Sequence, residues 1–284
     1  MRYLLLIFLW MAPGFAFAQK EVRTAIVKST TEITFPDNSA AGGEDEPRPF
    51  AGGVESSNTV HYTPDFVKTF NQTDFGNNTV IIDKKNKKTV TIIEAMGRKT
   101  GYYSTPEDEE QRRKRMDSLR QAGGGRNRSE ENARGEVEIV NTTETKKIAG
   151  YTCKKVILKS KSGNGETNET IVWFTPDLKM PADYPAAGMS APGGGRGFSG
   201  SFGGGARPGF GSLAGLDKIE GFVMGYEMSR PNGFSMKMEV KKIEVDPEIK
   251  EKIFEVPRGT ELKPISEMQN LFGTPGGGFR RQEN

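Results

Sequence analysis

The sequence predicts a mainly β protein built on antiparallel sheet, with a few short helices and two low-complexity insertions. Three observations lead there. Between Ile219 and Val245, Phe222, Met224, Tyr226 and Met228 alternate with Val223, Gly225, Glu227 and Ser229. After a turn at Arg230, Pro231, Asn232 and Gly233, Phe234, Met236, Met238 and Val240 alternate with Ser235, Lys237, Glu239 and Lys241. Period two puts one set on each face of a pleated hairpin, as a sheet with one solvated face requires. β-Branched runs joined by short polar turns recur along the chain, and helical spacing is confined to brief stretches.

Ile243 and Val245 fall on the opposite parity from Val240, which predicts a bulge or kink near Lys241 and Lys242. The apolar set of this hairpin is rich in methionine, a flexible and polarizable side chain. It suits irregular core packing or a surface that adapts to varied apolar partners, and the sequence leaves both open.

The elements before the hairpin follow in order. Residues 1–18 carry Arg2, an apolar run from Leu4 to Trp10, and Ala16-Phe17-Ala18, the pattern of a secretory signal cut before Gln19. The apolar run is far shorter than the roughly 20 residues that span a bilayer, so no transmembrane segment is expected. A single domain is expected over 19–272 and a disordered tail over 273–284. Val22 to Phe35 has the composition of one or two strands. Residues 36–53 collect Pro, Gly, Asp and Glu and read as a mobile loop. Phe66 to Gly76 is ambiguous between a helix and a strand, and its threonine and phenylalanine content favours a strand. Thr79–Asp83 and Thr89–Ile93 make a hairpin around Lys84 to Lys88. A charged helix is expected over 105–122, with Thr105 as N-cap, Pro106 in the first turn and acid-before-base pairs such as Glu110 to Lys114. Gly123 to Gly125 end it.

Glu136–Val140, Tyr151–Leu158 and Thr170–Phe174 read as strands, the last two joined through Gly163-Asn164-Gly165. Pro176 to Pro185 breaks regular structure. Residues 186–215 form a glycine-rich loop with too little apolar area to offset the entropy of ordering. After the hairpin, Asp246 and Pro247 start a short helical turn, Phe254, Val256 and Pro257 make a final edge strand, and Ile265, Met268 and Leu271 lie at helical spacing.

Charge and residue inventory narrow the chemistry. The formal net charge is +3 and drops to +2 when Arg2 leaves with the signal, a near-balance that gives no reason to expect nucleic acid. The basic run at Arg112 to Arg115 reads as a solvated helix face whose charges neutralise one another. One histidine, His61, and one cysteine, Cys153, leave little material for a catalytic triad, a thiol–imidazole pair or a zinc site. No disulfide is possible within the chain, which fits a large exported domain with its own core. The chain is therefore read as non-catalytic, with no cofactor and no metal.

Ile148, Ala149, Gly150, Tyr151, Thr152, Cys153, Lys154 and Lys155 resemble the I-x-G-Y-x-C-x-K signature of a family of exported bacterial proteins of unknown function. In that family the signature is followed by a tryptophan-bearing strand and a proline-rich link, as at Trp173 and Pro176. A sibling family carries GLPGLI where this chain has Gly215, Leu216, Asp217, Lys218 and Ile219, so nothing is borrowed from it. More distantly, the strand order and the closing Phe254, Val256, Pro257 and Gly259 resemble LolA-like lipoprotein carriers. That resemblance implies a curved antiparallel sheet, an unclosed barrel, whose concave face holds acyl chains. It maps the ligand-binding face onto Phe222, Met224, Tyr226, Met228, Phe234, Met236 and Met238, with Trp173 beside them. The expected role is binding an apolar ligand, a lipid or a lipoprotein in the periplasm or at the cell surface. The alternative is a structural or protein-interaction module of the envelope, working through exposed sheet edges and the glycine-rich loop.

Overall fold

The computed structural model describes residues 19–35, 53–108, 137–161, 167–185, 215–231 and 233–267, with 110, 111, 114 and 118 in the helix that begins at 106. The strands are β1 (Lys20–Glu21), β2 (Ala25–Thr34), β3 (Val54–Tyr62), β4 (Phe66–Thr73), β5 (Gly76–Asp83), β6 (Lys88–Ala95), β7 (Arg98–Ser104), β8 (Val137–Ile148), β9 (Tyr151–Lys161), β10 (Thr167–Thr175), β11 (Leu178–Lys179), β12 (Phe222–Ser229), β13 (Ser235–Val245) and β14 (Leu262–Pro264). A 12-stranded sheet runs β14-β7-β6-β5-β4-β3-β2-β13-β12-β10-β9-β8, and β1 pairs with β11 in parallel beside it. The large sheet is curved and antiparallel, apart from β14 alongside β7, and its two end strands do not meet to close a barrel.

The sheet consists of two meanders joined along one seam. β2 to β7 follow one another as hairpins, β8, β9, β10, β12 and β13 form the second set, and β13 pairs with β2 from Ser235↔Thr34 to Val245↔Ala25. Chain ends far apart in sequence thus meet in the middle of the sheet. The expected bulge lies in this seam: the register shifts between Val240 and Lys242, which returns Ile243 opposite Val27 and Val245 opposite Ala25. An extra residue is the way to keep both apolar sets on one face when their parity differs.

Sequence and structure agree on β2, β4, β5, β6, β8, β9 and β10, although β4 ends earlier, at Thr73, and β5, β6 and the last three extend beyond the expected limits. The turn before β13 is also as expected, with Arg230 N–H donating to Phe234 O and Gly233 at φ +86°. Thr105 caps the helix: Asp108 N–H donates to the Thr105 hydroxyl, and the Asp108 carboxylate accepts from Thr105 N–H at 2.8 Å. Glu110 pairs with Lys114 at 2.7 Å. The I-x-G-Y motif is the tight turn between β8 and β9, with Ala149 at φ +47° and Gly150 at φ +89°.

Other expectations need correction. β3 and β7 were not foreseen, because their sequences lack a clean apolar alternation. Phe254, Val256 and Pro257 are not a strand: Glu251–Phe254 is a 3-10 turn, and the last strand is β14. The physical reason is a side-chain contact, since Phe254 stacks on Phe66 at 5.2 Å and thereby pins the segment across β4 instead of along an edge. The helical turn expected after Pro247 begins later, at Glu251. The loop 36–52, the end of the charged helix, the turn at 163–165, the glycine-rich loop 186–214 and the tail after 267 lie outside the described residues.

Burial divides the sheet. On one side, here called the methionine face, Val27, Val60, Val172, Phe222, Met224, Tyr226, Met228, Met236, Met238 and Val240 are buried. On the other side of β4 to β7, Ile81, Val90 and Ile92 pack with Phe254, and Phe66, Tyr103, Ile249 and Val256 surround them. The C-terminal segment after β13 therefore supplies the cover for that half of the opposite face. Fully burying each such aliphatic or aromatic side chain contributes about 1.5–3 kcal/mol.

Candidate functional site: the methionine face and its strap

Residues 176–185 leave β10 and lie across one end of the methionine face. Leu178 and Val22 are both 1% exposed there, because β11 pairs with β1 and the two bring their apolar residues to the sheet together. Tyr184 packs between Tyr62 of β3 and Phe222 of β12, with ring centroids 5.5 and 5.7 Å away. One tyrosine thus spans the face from the first meander to the second.

At the rim the strap is held by polar contacts. Tyr62 Oη donates to Asp183 Oδ1 at 2.6 Å, and Lys84 Nζ pairs with Asp183 Oδ2 at 2.7 Å. Lys84 also donates to Thr63 O at 3.0 Å and sits 4.1 Å from the centre of the Tyr62 ring. Burial alone would raise the Asp183 pKa, but the hydrogen bonds from Lys84 and Tyr62 and the Lys84 charge outweigh it and hold the carboxyl below its usual range. Burial, and then the neighbouring Asp183 carboxylate, raise the Tyr62 phenol. Burial also raises Tyr184 and Tyr226, so all three tyrosines stay neutral.

Two open pockets border the strap. One of about 240 Å³ is lined by Val67, Ile82, Lys84, Asp183 and Pro185. The other, about 320 Å³, is lined by Gln19, Lys179, Met180, Ile219, Glu220 and Gly221. Ligand pockets commonly span about 300–1,000 Å³, so the first falls below that range and the second at its lower end.

The structure brings together Phe222, Met224, Tyr226, Met228, Phe234, Met236 and Met238, all on one face and all 5% exposed or less. None of them lines either pocket. Trp173 is separated from them. Val172 pairs with Tyr226 and Trp173 with Gly225, so the indole projects from the opposite face. There Lys146 Nζ lies 4.5 Å and Lys155 Nζ 6.0 Å from its ring centre. The strap, the latch residues Tyr62, Lys84 and Asp183, and Tyr184 were all missed in the sequence. The only local signal was the proline-bounded composition of 176–185.

The scarce nucleophiles are not assembled. His61 lies on β3 and Cys153 on β9, with β2, β13, β12 and β10 between those strands. Burial and the charges of Lys68 and Lys28 lower the His61 pKa, with Glu244 acting the other way. Burial raises the Cys153 thiol to about 11. No group of three or more His, Cys, Asp or Glu side chains that could hold a metal occurs among the described residues. No helix among them is long and apolar enough to cross a membrane.

No family model matches the chain, and no curated protein matches it. Among solved structures it is similar to "Structure of PNGF-II in C2 space group", with 16% identity and a TM-score of 0.33, over 85% of this chain and 31% of that one. The P21 form of PNGF-II gives the same identity and TM-score over 88% and 33%. The chain spans about a third of the length of those proteins, and the superposition is too loose to assign a shared fold.

Proposed function

We propose that this protein is an exported, non-catalytic binding protein of the bacterial envelope. It takes the apolar part of a lipid, or of a lipid-bearing partner, onto the methionine face in the place now held by the strap. The observation that carries this reading is Tyr184, an intramolecular aromatic wedge seated between Tyr62 and Phe222 and secured at the rim by Asp183. A cover whose fastening is a few polar contacts opens at lower cost than a sheet strand, and the side chains beneath it are ones that repack around varied apolar shapes. The signal-like residues 1–18 and the resemblance to exported and LolA-like proteins support the compartment and the kind of ligand.

The test is native mass spectrometry of protein purified from its own envelope, compared with the Asp183→Ala variant. A bound lipid of defined mass in the wild type, with altered occupancy in the variant, supports the reading. Protein that is uniformly free of lipid in both sinks it.

A second reading is favoured by β8, a 12-residue strand at one end of the sheet. Such an edge can accept a strand from a partner. It is blunted by the irregularity between Asn141 and Thr145 and by Lys146 and Lys147, devices that discourage edge pairing.

A further inference from the structure

Beyond the methionines, the same face changes character. Register sets Ser29, Asn58, Asn71, Asn78 and Ile93 in one row across β2, β3, β4, β5 and β6. Directly opposed residues share a face. Ser29 is opposite Val240, which places the row on the methionine-face side. Every charged side chain of β2 to β6, and His61, stands on the other parity. From β2 to β6 this face is therefore lined by amides, hydroxyls and aliphatic groups, and the first charge beyond them is Arg98 of β7, opposite Ala95.

Its hydrogen bonding is incomplete. Asn58 is 8% exposed, and its amide oxygen has no partner. The amide oxygen of Asn78 and the hydroxyl of Thr69, on the neighbouring strands, are buried and unpartnered as well. Buried polar groups are almost always satisfied. Asn71, Asn78 and Ile93 are half-buried, so the row leads from the closed end at Asn58 toward solvent.

The geometry points to a binding strip for an uncharged, hydroxyl-rich ligand, an oligosaccharide laid across β3 to β6. A hydroxyl donates and accepts, so it completes amides and hydroxyls alike. Across β3 to β6 a charged ligand would be desolvated without a counter-charge, and an aliphatic one would leave the orphan atoms unpaired. The rungs repeat at the strand spacing of about 4.8 Å, the scale of one sugar ring per rung. Val80, half-buried in the adjacent row through Thr69, offers apolar surface to the C–H faces of the rings.

Isothermal titration with cellohexaose and maltohexaose, and with hexagalacturonate as the charged control, tests this without any acyl chain, so the result is independent of the strap. At least one neutral hexasaccharide is expected to bind. Asn71→Leu and Asn78→Leu should each weaken that binding about tenfold while the protein stays folded by its melting transition. Asn77→Ala, on the other side of β5, should leave the affinity unchanged. Three results would overturn the proposal: no binding of either neutral sugar, meaning that the row holds only water; equal binding of hexagalacturonate; or leucine variants that bind as the wild type does.

Discussion

Tyr62 and Asp183 stand 121 residues apart in sequence, and a 2.6 Å hydrogen bond from the phenol to the carboxylate ties the strap to β3. Because the carboxyl is stabilised in its ionised form, the sign of the pH effect is fixed. A folded pKa below the unfolded value means that the contribution is present above the unfolded pKa, near 3.9, and is lost as pH falls through the folded one. Hydrogen exchange at the Tyr184 amide, which donates to Pro181 O at 2.9 Å, should accelerate selectively as pH is lowered below about 4, once corrected for intrinsic rates. Asp183→Ala should abolish that dependence. Its cost in global stability should be under about 1 kcal/mol, because the Asp183 side chain is 54% exposed and screened by water.

Met238 and Met96 offer a contrast in burial. Met238 is 1% exposed and Met96 is 99% exposed. Met238→Ala should destabilise by about 2–5 kcal/mol in urea unfolding, and Met96→Ala should stay within about 0.5 kcal/mol. Equal effects would mean that the methionine face is not packed as described.

Cys153 is 0% exposed, and its thiol is pushed up to about 11, chiefly by burial. Iodoacetamide at pH 8 should leave native protein unmodified over the time in which urea-unfolded protein reacts fully, because the thiolate is the nucleophile. Rapid alkylation of the native state would contradict the buried placement.

Gly101 marks the attachment of the last strand. A Cβ there would come within 2.5 Å of Leu262 Cδ2 and 3.1 Å of Glu261 O. Gly101→Val should therefore release β14 from β7 and cost about 1–3 kcal/mol. Faster exchange confined to 260–264 would confirm the cause, whereas an unchanged pattern there would refute it.

The parts of this fold that were legible in the sequence are those whose pattern is local. Phe222 to Met228 and Met236 to Val240 alternate because one face is buried, and the parity change at Ile243 announced the bulge. β3 was hidden because its buried face is Asn58, Val60 and Tyr62, a mixed set placed by pairing with β2 and β4, with Tyr184 of the strap against Tyr62. β7 carries Arg98 and Lys99 at one end and Gly101 in its middle, a composition that argues against a strand until Leu262 and β6 flank it. The same limit explains the site. The apolar face was visible, but the placement of Trp173 behind it depends on pairing with Gly225, and the latch depends on Tyr62, Lys84 and Asp183 meeting across long loops.

The proposed exchange of strap for ligand can be followed directly with a probe placed at the wedge. In a Tyr184→Trp protein that begins at Gln19 and carries Trp173→Phe, so that only the strap reports, tryptophan emission is measured during titration with oleate. Displacement of the strap predicts a saturable red shift as the indole leaves its seat between Tyr62 and Phe222. Emission that stays constant through saturating oleate would contradict the account.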